Sequence, residues 1–296
     1  MKHLLKLFLS FLFLSFSIFV FAQDKTETDD PSTNYKTAFA LVNANKANEA
    51  IPYLEKVVKT TSAYTAAAYS LLGSIYDNDH QPEKAIATYK EGLKAYPKDQ
   101  SMHYNLGLAF FRNKQYADAE TEAVVAIKLD PKHTNSQRMY ALVTFHQNKR
   151  VNALLGFCSF LLLEPNTPRS AEAFTNMQSI LKGGTLKEDG TGILSPADVI
   201  ERNVLNAGLS AVTTSAQAKK LTSAELIEYE LKGIFTFAGQ YAEKKSGKTF
   251  FDKFYAEYFY KLAQSNNVAA FAKMVSEHTP LSGELESWLK VTERGF

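Results

Sequence analysis

Prolines recur at Pro97, Pro131 and Pro165, each 34 residues after the last, and Ala85, Ala119 and Ala153 keep the same step within the units those prolines close. A fixed period of this length constrains the fold more than any single motif. A unit this small cannot bury its apolar face alone and must stack on copies of itself. Within each period the apolar residues follow helical spacing. Tyr69, Leu72 and Tyr76 form one face, Ala85, Tyr89 and Leu93 the next, and the stretch from Asp77 to Pro82 turns the chain between them. No alternating run with hairpin turns competes, so the chain is predicted to be all-α.

A helix, a short turn, a second helix and an exit proline on a 34-residue period resemble the tetratricopeptide repeat. The first full unit, residues 66–99, carries Tyr69 where that family prefers Trp, then Leu72-Gly73, Tyr76, Ala85, Tyr89 and Pro97. The second, 100–133, supplies Leu106-Gly107, Phe110, Ala119, Ala126 and Pro131. The third, 134–167, has Tyr140-Ala141 for Leu-Gly and Thr144 for the aromatic, but keeps Ala153, Phe157 and Pro165. Residues 33–65 read as a divergent unit with Ala38, Leu41, Ala50 and Leu54, and Ser170 to Lys182 as one further helix ended by Gly183-Gly184. The resemblance implies a TPR-like helical-repeat superhelix over 34–182, with small residues such as Gly73 and Ala85 letting paired helices approach.

The resemblance also implies a concave wall, built from the first helix of each unit, that receives a peptide or a partner helix. Its positions map here onto Tyr104, Asn105, Leu108, Phe111 and Arg112 in the second unit, and onto Arg138, Leu142, Phe145 and His146 in the third. Asn105 alone matches the Lys, Asn and Arg set with which some members clamp a terminal carboxylate. The first helices of these two units carry Arg112, Lys114, Arg138, Lys149 and Arg150 and no acid, which predicts a locally positive groove that attracts an acidic or apolar segment of another protein. The alternative is that the chain's own aromatic C-terminal region fills the groove.

Glycines in Gly183 to Leu194 mark a linker over 183–194. Beyond it a C-terminal helical bundle is expected over 195–296, with helices near 196–212, 225–244, 250–264, 268–277 and 283–292. Ser195-Pro196-Ala-Asp198 and Thr222 with Glu225 supply start signals. In the third of these helices Phe251, Phe254, Tyr255, Tyr258, Phe259 and Leu262 share a face, a packing stripe rather than a cofactor pocket.

The chain opens with Lys2 and Lys6, an apolar run from Leu7 to Phe21, and Ala22 at a cleavage-like exit, so residues 1–22 are expected to be a secretory signal and 23–33 a polar tail. An exported protein, periplasmic or secreted, follows, with no transmembrane segment after cleavage. Removing Lys2 and Lys6 takes the formal charge from +2 to zero, which does not fit a nucleic-acid binder. Ala242 to Thr249 loosely spells a phosphate loop, but a helix precedes it where the chemistry needs a strand. The scattered histidines and the single Cys158 form no metal or nucleophile pattern. No catalytic residue, metal or cofactor is therefore expected. The function that follows is a non-enzymatic interaction or scaffold protein. Two alternatives remain: an enzyme with a dispersed site in the C-terminal helices, or a structural subunit of an envelope or secretion assembly.

Overall fold

The computed structural model describes residues 30–185 and 194–291, and every regular element among them is helical. The signal segment, most of the polar tail and most of the expected linker lie outside the described residues. The chain groups into two compact units, one up to Ala68 and one from Tyr69 onward.

The first unit holds α1 (Pro31–Asn43) and α2 (Ala47–Val58), and α3 (Thr65–Asn78) begins within it. Asp30 caps α1 by accepting the Thr33 N–H, with Pro31 in the first turn where its missing N–H costs nothing. Ala38, Ala50, Leu54 and Val57 are fully buried, which accounts for the spacing of the divergent unit.

The second unit continues with α4 (Pro82–Ala95), α5 (Gln100–Arg112), α6 (Tyr116–Leu129), α7 (Thr134–His146), α8 (Arg150–Leu163) and α9 (Pro168–Leu181). These are the helix pairs the 34-residue period requires. A Cβ on Gly73 would lie 2.6 Å from the buried Tyr89 ring, so a small residue is required there, while one on Gly107 would meet only the flexible end of Met139, at 2.7 Å from Cε. In the third pair the small residue has changed sides. Ala141 replaces glycine on α7, and Gly156 on α8 makes room for it, a Cβ there standing 3.0 Å from Ala141 Cβ.

Each turn between paired helices is closed by one left-handed residue: Asn45, His80, Lys114 and Asn148, at φ 59°, 57°, 58° and 55°. The next amide in each case reaches back to the preceding helix, as in Gln81 N–H to the Tyr76 carbonyl and Gln115 N–H to that of Phe110. Such a φ favours glycine or asparagine, yet His80 and Lys114 bear it here.

After the undescribed stretch come α10 (Pro196–Thr213), a short 3-10 turn (Ala218–Lys220), α11 (Ser223–Glu243), α12 (Glu257–Gln264), α13 (Val268–Glu277) and α14 (Gly283–Val291). Ser195 caps α10, and Thr222 with Glu225 forms the capping box of α11. The helix over 250–264 differs from the expected regular one: Asp252–Ala256 is a π turn that leads into α12. The residue it adds to the turn lets Phe254 and Tyr255, both almost fully buried, face inward together. Tyr260 lies half-buried against α11, where a Cβ on Gly239 would meet the Tyr260 Cβ at 2.3 Å.

Among the described residues these helices pack directly on the repeats, and α8 is buried on all sides from Val151 to Leu162. Its sequence, VNALLGFCSFLLL, has no polar face to offer water, so it requires cover on both sides. The repeats cover one side. Helix α10 and the π turn cover the other, and α13 and α10 also touch α9. No described helix is long and apolar enough to cross a membrane.

Candidate partner-binding groove

The first helices of the second and third units, α5 and α7, bring together most of the expected lining. Tyr104, Asn105, Leu108 and Phe111 on α5, and Arg138, Leu142 and His146 on α7, are half-buried, and Arg112 is exposed. Phe145 differs. At 1% exposure it belongs to the core and offers a ligand nothing to touch. The edge of the Tyr104 ring meets that of His133 at 5.1 Å between centroids. Burial pulls the His133 imidazole below its ordinary pKa, and its Nδ1 lies 2.8 Å from both Gln100 Nε2 and Ser136 Oγ. At the other end of the helices Phe111, Tyr116 and His146 pack as three mutually touching rings.

Three of the five expected cations are paired with acids. Arg112 pairs with Asp77 on α3, Arg138 donates to Glu172 on α9 at 2.7 Å, and Lys149 donates to Glu120 on α6 at 2.6 Å. Arg150 faces Ser210 Oγ at 3.4 Å. Arg169, also on α9, grips Glu164 and donates to Asn135 of α7 at 2.6 Å. These pairs form between neighbouring helices and not within one helix. The missed signal was the period itself: Arg138 and Glu172, like Asn135 and Arg169, are 34 residues apart and so stand side by side on adjacent first helices.

The C-terminal helices attach at the back of the stack. Tyr255 donates to Gln137 Oε1 at 2.7 Å and stacks on Tyr140 at 4.9 Å and 17°. Gln137, Tyr140 and Thr144 share the face of α7 opposite Arg138 and Leu142, as their spacing of three and four dictates. Asn206 of α10 reads the turn before α8, accepting the Arg150 N–H at 3.1 Å and donating to the Asn148 carbonyl at 2.8 Å. Among the described residues, no hydrogen bond, ion pair or ring contact from 194–291 runs to Tyr104, Leu108 or Leu142.

The remaining polar groups have structural work. His103 sets Nδ1 2.6 Å from Glu122 Oε2 and Nε2 3.1 Å from the Pro97 carbonyl, two acceptors that only an imidazolium satisfies. Burial drives the Cys158 thiol well above its usual pKa. The loop after α11 places Lys245 against Asp252 at 2.6 Å and Glu201 at 3.1 Å, and Thr249 hydrogen-bonds Asp252, so these side chains are engaged with one another. A cleft of about 110 Å³ lies where α6, α7 and α8 meet α10 and the start of the π-turn helix. The described residues contain no group of histidine, cysteine and carboxylate side chains able to hold a metal ion.

Helix pairs of this length, with small residues at their contacts and a wall formed by the first helices, define a helical-repeat protein. Residues 71–134 match the tetratricopeptide repeat family. It is 28% identical over 131 residues to RNA polymerase II-associated protein 3 of Rattus norvegicus and 28% over 127 residues to that of Mus musculus. Each alignment covers 43% of this chain, and the chain spans only 19% of the length of either relative. Among solved structures it is similar to the first repeat domain of Spaghetti bound to the HSP90 peptide SRMEEVD, at 25% identity and TM-score 0.39, over 42% of this chain and 95% of that one. It is also similar to PilF of Pseudomonas aeruginosa, at 16% identity and TM-score 0.45, over 77% of this chain and 97% of that one. A repeat protein from Parabacteroides merdae gives 13% identity and TM-score 0.47, over 88% of this chain and 98% of that one. Repeats of this family are protein-interaction modules.

Proposed function

We propose that this is an exported, non-enzymatic protein that holds a segment of another protein along α5 and α7. One observation carries the reading. The aromatic C-terminal helices dock on α8 and the rear face of α7, while Tyr104, Leu108 and Leu142 on the groove side keep part of their surface in water. Half-exposed aromatic and aliphatic side chains on a rigid wall can bury further area against a ligand at little ordering cost. Export is supported by the basic head, apolar run and Ala22 exit of residues 1–22. The test is affinity capture from an envelope extract with residues 23–296, beside a Tyr104→Ala, Leu108→Ala, Leu142→Ala variant of equal helicity. A stoichiometric partner lost with the variant, and rebinding when purified, supports the proposal. A partner retained by the variant refutes the groove as its site. Amino-terminal sequencing of the natively produced protein tests export, with Gln23 as the expected first residue.

A further inference from the structure

We propose that this groove selects an uncharged, apolar segment in preference to an acidic one, because nearby acids already pair with Arg112, Arg138 and Arg169. The inference rests on the groove being the binding face and adds the chemistry of the partner. An arginine attracts a ligand carboxylate only with the charge it has left. Arg112 is bound to Asp77, whose side chain is only 8% exposed. A ligand carboxylate that displaced Asp77 would leave that group buried and uncompensated, so the exchange gains one ion pair and strands another anion. A carboxylate that did not displace it would meet Asp77 beside Arg112 and feel the two fields cancel. At Arg138 the competitor is Glu172, 54% exposed, and replacing one carboxylate by another there is nearly neutral. Arg169 is held on two sides, by Glu164 and by Asn135.

What the wall still offers is Tyr104, Leu108, Phe111 and Leu142, with the amide of Asn105 beside them. These groups gain by covering apolar surface and making neutral hydrogen bonds. The complement is a segment with aromatic or aliphatic anchors and no net charge.

The experiment presents the full mature chain, residues 23–296, to an array of random heptapeptides with blocked termini. A Tyr104→Ala, Leu108→Ala variant defines the background. The enriched set is expected to be apolar with net charge near zero. Its binding is expected to change less than about two-fold between roughly 50 and 500 mM sodium chloride, a range over which exposed ion pairs are strongly screened. Glu172→Gln alone, and with Asp77→Asn, should release the arginines and shift the enriched set toward acidic peptides. An acidic, salt-sensitive set with the wild-type chain overturns the inference while leaving the groove as the binding face. An enriched set unchanged in both variants overturns the neutralisation argument. No enrichment above the Tyr104→Ala, Leu108→Ala background refutes the groove reading, and this inference with it.

Discussion

Replacing Tyr255 by phenylalanine removes one oxygen from a contact that joins the C-terminal helices to the repeats. Tyr255 and Gln137 are both 0% exposed, and the bond between them is 2.7 Å. Gln137 Nε2 donates to the Pro131 carbonyl at 2.9 Å, which fixes the amide so that Oε1 must accept from Tyr255. In Tyr255→Phe the stacking on Tyr140 survives, while Oε1 is left buried with no donor at a cost of about 1–3 kcal/mol. If residues from Tyr69 onward unfold together, a domain of that size should lose about 2–4 °C of melting temperature per kcal/mol, or roughly 4–8 °C for the middle of the range. Thermal unfolding followed by circular dichroism and calorimetry should show one transition displaced by that amount. Combining Tyr255→Phe with Gln137→Met should cost less than the sum of the two single changes, because the orphaned acceptor has gone. An unchanged melting temperature would refute the contact. Hydrogen exchange that shows the C-terminal helices opening apart from α8, with only one of the two destabilised, would refute the shared core.

Three further changes probe the repeats. Gly73→Ala forces a methyl group to within 2.6 Å of the buried Tyr89 ring and should destabilise by about 1–3 kcal/mol, whereas Gly247→Ala, with nothing within 4 Å, should be nearly neutral in the same melt. His80→Gly relieves a left-handed residue at φ 57° and should stabilise by about 0.5–1 kcal/mol in urea titration, less than the full strain because glycine gains freedom when unfolded. His103 answers to pH. Burial opposes its charge, but the bonds to Glu122 and the Pro97 carbonyl and the charges of Glu122 and Asp99 prevail and raise its pKa. Its contribution is therefore complete below the unfolded value near 6.5 and fades as pH rises through the folded one. His103→Gln should flatten stability against pH across that window.

The helix pairs and nearly all C-terminal helix starts could be read in the sequence because local rules set them: a 34-residue period, prolines, caps and one apolar face per helix. The left-handed turn residues could not, since His80 and Lys114 carry no glycine signature. VNALLGFCSFLLL announced that α8 would be covered all round, but nothing in it said by which helices. The helices that carry the expected lining residues followed from repeat position. The charge of that lining did not, because Asp77 and Glu172 neutralise Arg112 and Arg138 across helices, and a helix read singly hides a partner one period away.

If the face formed by Tyr104, Leu108 and Leu142 is open to another protein while the C-terminal helices hold the back, a bound segment must pass within reach of position 108. Replacing Leu108 by the photo-crosslinking amino acid benzoylphenylalanine tests it directly, with digestion and mass spectrometry locating the bond after irradiation in an envelope extract. The account predicts a crosslink to a segment of a different protein. A crosslink from position 108 to this chain's own residues 194–291 would contradict it.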